Sequence, residues 1–268
     1  MPIHYEKQGA VAIFTIDNGK LDVLTPALHK ELYDHLQAFV IDPDIRVGIL
    51  KGRDGASFCA GDDIKSKLPD RTRQQELEGY LFLHQNENGQ PHRPAWDLDI
   101  LRMERYKPII GAVDHYCLGQ GMIYLLHLTD LRVATDRAQF GLPEIAYGMG
   151  GAGGITRLGR QIPYVVAIRF LLTGELMSAQ DALRYDLINE VVPPEQLMEA
   201  AMRLAHQVAR HPPIAVRVEM EAFQRAHDLS RSDALAFCNT LYRLQRMGYE
   251  GYGAGTGFFA GRERRDGH

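Results

Sequence analysis

Cysteine is scarce in this chain: there are three, Cys59, Cys117 and Cys238, with no CxxC spacing. An odd, dispersed set builds no disulfide framework, and a reducing compartment is the simpler expectation. Long apolar runs are missing too. The longest uncharged stretch, His115 to Thr129, is shorter than the ~20 residues of a spanning helix and is broken by Gly119 and Gly121. The start, Met1 to Lys7, carries no apolar core of a leader. The expectation is a cytoplasmic protein with no membrane partner. Positive charge is not in excess, since the formal net charge is −4, and no nucleic-acid partner is expected. There is no GxSxG elbow. The 11 histidines do not pair with Cys or Glu at ligand spacing, so no metal site is expected.

What the chain does have is enough apolar material for a large core. Of its 268 residues 45% are hydrophobic and 24% charged, which is ordinary for a globular protein. Ala10–Asp17, Val47–Leu50, Ile109–Val113 and Leu131–Ala134 read as buried strands. Helical stretches fall between them. Leu28, Leu32, Leu36 and Val40 are spaced for a helix that Thr25 can cap. This alternation is an α/β pattern. Further on, Ser178 to Asp181 opens a short helix, Glu195–Val208 is amphipathic, and helices start near Ile214 and Arg231. The expected division is an α/β core over residues 1–200 and a helical region over 201–268. The stretch Gln85 to Pro94 is the most loop-like and reads as an insertion or lid.

Three motifs carry chemistry. In Phe58-Cys59-Ala60-Gly61-Asp62-Asp63-Ile64-Lys65, small residues let a ligand approach the backbone; an ordinary strand-to-loop turn fits as well. Lys107 to Val113, then Asp114 to Cys117, lead into Leu118-Gly119-Gln120-Gly121-Met122, a glycine turn opening an apolar helix. Such a helix start offers unpaired N–H groups to an anion or polarised carbonyl; a tight packing turn is the plainer alternative. In Phe140-Gly141-Leu142-Pro143-Glu144-Ile145, an apolar setting would raise the Glu144 pKa and suit it to acid/base work. Isolated, it would read as a solvated glutamate. The following Gly148-x-Gly150-x-x-Gly153 satisfies a dinucleotide fingerprint, but Pro143 and Glu144 interrupt the strand that fingerprint needs. Tyr116, Tyr124, Tyr147 and Trp96 can line an acyl pocket or be plain core.

Together and in this order, AGDDIK, KPIIGAVDHYCLGQG, AQFGLPEIAYG, GGAGGITRL and FLLTGELMSAQDALRYDLINEVVP resemble the enoyl-CoA hydratase/isomerase (crotonase) family over roughly residues 8–210. The resemblance implies a crotonase-like core of repeated ββα units with a helical C-terminal trimerisation region, and a homotrimer or hexamer. It implies an acyl-CoA thioester as substrate, with coenzyme A belonging to the substrate and no separate cofactor. Two backbone N–H groups would hold the thioester oxygen, by motif position those of Ala60 and Gln120. Glu144 matches a catalytic glutamate. Lys20, Asp22, Asp63 and Ile64 match positions around the CoA, and Asp62, Tyr116, Gly119, Pro143 and Gly151 complete the expected substrate contacts. Hydration of 2-enoyl-CoA and 3-to-2 double-bond isomerisation both fit. A non-catalytic CoA-ester-binding member is the alternative.

The pattern departs at one place. Family hydratases carry a second glutamate on the helix after the glycine turn. Counting from Gly119 that place is Ile123, and counting back from Asp130 it is Tyr124. Asp62, Asp114 and His115 are the candidates to replace the missing acid, and a structural role for all three is the plainer expectation. The longer 66–106 segment is expected to shape the acyl pocket.

Overall fold

The strands are β1 (Ile3–Gln8), β2 (Val11–Ile16), β3 (Val47–Gly52), β4 (His84–Gln85), β5 (Pro91–His92), β6 (Ile109–Val113), β7 (Tyr116–Leu118), β8 (Leu131–Thr135), β9 (Gln139–Gly141), β10 (Met177–Ser178) and β11 (Glu190–Val192). They come from a computed structural model that describes residues 3–63, 72–74, 77, 84–85, 91–92, 96–150 and 157–248. The chain divides into two compact units, Met1–Gln207 and Val208–His268.

In the first unit, six strands form one sheet in the order β1-β2-β3-β6-β8-β11. Only the β1–β2 pair is antiparallel; the four inner pairings are parallel. Every residue of β6, and all but one in β2 and β3, is buried. A parallel sheet covered on both faces requires such unbroken apolar runs. The Pro26–Ile41 helix starts where expected, with the Thr25 hydroxyl accepting the Leu28 N–H at 3.3 Å and Pro26 in the first turn. It packs against the Trp96–Arg102 helix.

A second, smaller layer repeats beside the first. β7, β9 and β10 form a three-stranded sheet, and Cys59 bridges to Cys117 in parallel. Each large strand is thus followed by a short partner in the second layer: β3 by Cys59, β6 by β7, β8 by β9. β7 then leads into the Gln120–Leu128 helix. This is the repeated ββα plan, and it sets three successive turns side by side.

Some boundaries differ from the sequence reading. β1 was not expected, because half its residues are polar and exposed, as an edge strand permits. The Glu195–Val208 helix begins at Leu197, after a 3-10 turn at Pro194–Gln196. Ser178 caps the Ala179–Arg184 helix by accepting the Asp181 N–H at 3.1 Å, as read. The Gln85–Pro94 stretch is described only at residues 84–85 and 91–92, which pair antiparallel. Most of the 66–106 segment before Trp96, and the tail beyond 248, lie outside the described residues.

The second unit holds the Pro213–Ala226 and Arg231–Met247 helices, packed on each other. Ser230 caps the latter, accepting the Asp233 N–H at 3.2 Å. No described helix is long and apolar enough to cross a membrane.

Candidate active site

Three turns end the short strands of the second layer: Ala60-Gly61-Asp62 after the Cys59 bridge, Gly119-Gln120 after β7, and Leu142-Pro143-Glu144 after β9. Parallel pairing of Cys59 with Cys117, and of β7 with β9, brings them to one edge. That is the edge at which α/β folds hold ligands, outside the carboxyl ends of parallel strands.

The orientation of each peptide follows from its hydrogen bonds. The Cys59 carbonyl accepts from the Leu118 N–H at 2.9 Å, and on the far side of the same planar peptide the Ala60 N–H donates to the Leu21 carbonyl at 2.9 Å. The segment 21–24 is therefore on one side and β7 on the other. Gly61 then takes φ +102°, open to glycine because it lacks a β-carbon. The next peptide is turned over: the Gly61 carbonyl accepts the Leu24 N–H at 2.9 Å. Its N–H, that of Asp62, must point the opposite way, toward the 118–120 side. Among the described residues no acceptor is found for it. The expectation that Ala60 supplies a free N–H is corrected here, since that N–H is committed to Leu21.

The second turn has a donor too, with no acceptor among the described residues. Gly119, at φ +53°, receives its fix from an N–H bond to the Gly141 carbonyl at 3.0 Å, and its carbonyl accepts the Ile123 N–H at 2.9 Å. The Gln120 N–H, opposite that carbonyl, opens the helix and projects out of its N-terminus. A β-carbon built on Gly61 would stand 3.6 Å from the Gln120 nitrogen and 3.7 Å from the Gly119 α-carbon. A side chain at Gly61 would therefore touch the second turn, so the two turns face each other at close range.

Glu144 comes from the third turn. It lies in the 3-10 turn Pro143–Tyr147, whose geometry Pro143 favours at its start. Its Oε1 lies 2.5 Å from the position of a β-carbon on Gly119, and Gly61 Cα lies 3.6 Å from the same point. Among the described residues its Oε2 is buried without a hydrogen-bond partner. Burial pushes the carboxyl pKa up, its own backbone N–H pulls it down, and the nearby Asp62 charge adds to the rise; the net direction is upward. A half-buried carboxyl with one oxygen unengaged and a raised pKa has the properties of a general acid/base.

The enoyl-CoA hydratase/isomerase family model matches residues 6–246. The chain belongs to the enoyl-CoA hydratase/isomerase family. It is 33% identical over 248 residues to the (E)-benzylidenesuccinyl-CoA hydratase of Thauera aromatica, covering 92% of this chain and 91% of that one. It is 32% identical over 242 residues to the 2,3-dehydroadipyl-CoA hydratase of Escherichia coli strain K12, covering 89% and 88%. A crystal structure of an enoyl-CoA hydratase subunit from Geobacillus kaustophilus superposes with a TM-score of 0.77 at 34% identity, covering 90% and 88%. The protein is an acyl-CoA enzyme of the hydratase/isomerase type.

The remaining expected contacts fall at different distances from this family site. Asp22 is fully buried, and its two oxygens accept the Asn18 N–H at 2.7 Å and the Arg53 N–H at 3.1 Å. Its carboxylate shapes its loop, so any contact with the CoA would come from its main chain. Lys20 is exposed on the same loop, and its carbonyl accepts the Ser57 N–H at 3.1 Å. Asp63 donates its N–H to Leu24 at 2.8 Å. Tyr116 is exposed at the start of β7. Ile64 and Gly151 lie outside the described residues.

Of the three candidates for the missing acid, two are set apart. Asp114 and His115 precede β7 while the site follows it, so about 10 Å of strand separates them from Gly119. Asp114 is also engaged. Burial raises its pKa, but bonds from Arg137 at 2.6 and 2.8 Å and from the Thr135 hydroxyl at 2.8 Å win, and the net shift is downward. Asp62 remains.

Tyr124, one of the two residues in the place of the family's second glutamate, is fully buried. Its hydroxyl lies 2.6 Å from Nδ1 of His29, and His29 Nε2 lies 3.1 Å from Asp62 Oδ1. His29 was not singled out from the sequence. It lies one residue off the apolar stripe of its helix, and its partners are 95 and 33 residues away. The glycine fingerprint is described only as far as Gly150, with Gly153 outside the described residues; what precedes it is a 3-10 turn that Gly148 closes at φ +75°, not the strand such a fingerprint follows.

Proposed function

We propose that the chain hydrates a 2-enoyl-CoA thioester, with the thioester oxygen held by the N–H groups of Asp62 and Gln120 and with Glu144 moving the proton. Adding water to the conjugated alkene, or removing a proton next to the thioester, puts negative charge on the carbonyl oxygen. Donors aimed at that oxygen stabilise the charge, and loss of one in comparable sites costs roughly 3–4 kcal/mol. The observation that carries the reading is the meeting of Gly61, Gly119 and the Glu144 carboxyl within a few ångströms of one point. In hydration, the water oxygen bonds to the β-carbon, one water proton passes to Glu144, and a proton passes from Glu144 to the α-carbon. Both hydrogens come from the water, so no oxidant or separate cofactor enters.

Incubation of the protein with a 2-enoyl-CoA and, separately, a 3-enoyl-CoA tests this. Water addition to the first is expected, and the Glu144→Gln variant should lose it. Activity on neither thioester, or full activity in Glu144→Gln, would overturn it. The absence of the second carboxylate, whose place is taken by Ile123 or Tyr124, favours a second reading, a CoA-ester-binding protein without turnover; Glu144→Gln would then leave every measured property intact.

We also infer a homotrimer or hexamer. Support comes from the second unit, where Phe223, Leu235, Leu244 and Met247 stand 70%, 57%, 58% and 82% exposed. Large apolar side chains left this exposed are candidates for burial in association. Sedimentation equilibrium tests it, and a monomer at micromolar concentration would refute it.

A further inference from the structure

We propose that Asp62 serves as the second carboxylate of the hydration site, holding the attacking water, and that His29, anchored by Tyr124, is the positioning residue that fixes its orientation. The proposal rests on the hydration reading given above. The place where the family keeps a glutamate is occupied by Ile123 or Tyr124, yet a carboxylate has entered the site from the opposite turn.

The geometry is a three-member chain that runs from the core to the site. Tyr124 is fully buried, His29 is 7% exposed and the Asp62 side chain is 52% exposed, so the chain opens only at its Asp62 end. Burial raises the Tyr124 pKa and keeps its hydroxyl protonated. The Asp62 carboxylate only accepts, so Nε2–H donates to its Oδ1 across 3.1 Å, and in the neutral ring Nδ1 is then the acceptor for the Tyr124 hydroxyl across 2.6 Å. The His29 and Tyr124 rings also meet edge to face, with centroids 5.7 Å apart. A ring held at both nitrogens and on its face has one orientation. One Asp62 oxygen is thereby engaged, and among the described residues nothing binds Oδ2, which is open to water.

Asp62 is also near the other carboxyl, since its charge adds to the burial that raises the Glu144 pKa. It follows Gly61, whose α-carbon lies 3.6 Å from the same Gly119 point that Glu144 Oε1 approaches at 2.5 Å. A water between the two carboxylates donates one hydrogen bond to each. Glu144 takes the proton as the water oxygen bonds to the β-carbon, and the proton that reaches the α-carbon leaves from Glu144. Asp62 accepts a hydrogen bond throughout and its protonation does not change. Isomerisation and α-proton exchange use no water nucleophile and should depend on it far less.

The test compares two reactions of one protein preparation: hydration of a 2-enoyl-CoA, and exchange of the α-proton of a saturated acyl-CoA in deuterated water. Asp62→Asn should reduce hydration kcat at least 100-fold, with a fall at least ten times smaller in exchange. His29→Leu should reduce hydration kcat about 10-fold or more with KM changed less than 3-fold, and His29→Gln, which keeps a donor, should recover part of it. Hydration kept within 3-fold in Asp62→Asn, or hydration and exchange falling in parallel in all three variants, would overturn the proposal. A wild-type protein that neither hydrates nor exchanges would instead remove the underlying hydration reading, and this proposal with it.

Discussion

Glu144 Oε1 stands 2.5 Å from the point where a β-carbon on Gly119 would be. The glycine that opens the helix after β7 thus makes the room in which the acid/base carboxyl sits. Gly119→Ala should push that carboxyl away and strain a backbone held at φ +53°, ψ −124°. Strain of this kind costs roughly 1–3 kcal/mol. The expected outcome is a modest loss of stability by urea titration and a fall in kcat of more than about 10-fold. An active variant with unchanged kcat would mean that Glu144 does not sit where proton transfer occurs.

Glu144 itself should trade stability against activity. Its pKa is raised in the folded protein, chiefly by burial. A carboxyl with a folded pKa above its unfolded one binds more protons folded than unfolded, so its ionisation weakens the fold as pH rises from ~4 through the folded pKa. Glu144→Gln cannot ionise. Its stability relative to wild type should therefore be higher at pH 7 than at pH 4, read from urea midpoints at both. Its hydration rate should fall roughly 10²–10⁴-fold, the range for loss of a general acid/base. A variant less stable than wild type by a larger margin at pH 7 would contradict the burial of an ionised Glu144.

Much of this was legible in the sequence, because the signals are local. The inner strands announce themselves as apolar runs, Thr25 and Ser178 as caps, and Glu144 as a carboxylate between Pro143 and apolar neighbours. Two features were not. Within Ala60-Gly61-Asp62 the sequence does not say which peptide faces the ligand side; that depends on Gly61 at φ +102° turning over the peptide that follows it, and the donor falls two residues later than motif position suggests. The other is His29. Its polar partners, Asp62 and Tyr124, come from a turn and from the Gln120–Leu128 helix, in two different units of the ββα repeat, and only packing brings them together. Tyr124 did stand out as a replacement for an expected carboxylate, but its hydroxyl gains meaning only once His29 is opposite.

The electrostatic neighbour of Glu144 gives a second pH effect. The Asp62 charge helps raise the Glu144 pKa, after burial. α-Proton exchange requires ionised Glu144, so its rate should fall as pH drops through that pKa, at a pH above the ordinary glutamate value of ~4.3. Asp62→Asn removes the charge and should move this acid limb to lower pH, and raising the salt concentration should move the wild-type limb the same way while leaving the variant nearly unchanged. An acid limb that stays in place in Asp62→Asn would show that the two carboxylates do not sense each other.

Asp22 separates folding from binding. It was expected beside the substrate, yet it is buried at φ +48° with both oxygens occupied by the N–H groups of Asn18 and Arg53. Asp22→Ala would leave two loop N–H groups without an acceptor. Hydrogen bonds to a charged group contribute roughly 1.5–3 kcal/mol each, and burial of the carboxylate offsets part of that. The net expectation is a loss of about 2–4 kcal/mol of stability, measured by urea unfolding. Because the side chain does not face the ligand, KM for an acyl-CoA, measured well below the unfolding temperature, should change less than about 3-fold. A large rise in KM without loss of stability would restore Asp22 to the substrate and take it out of the scaffold.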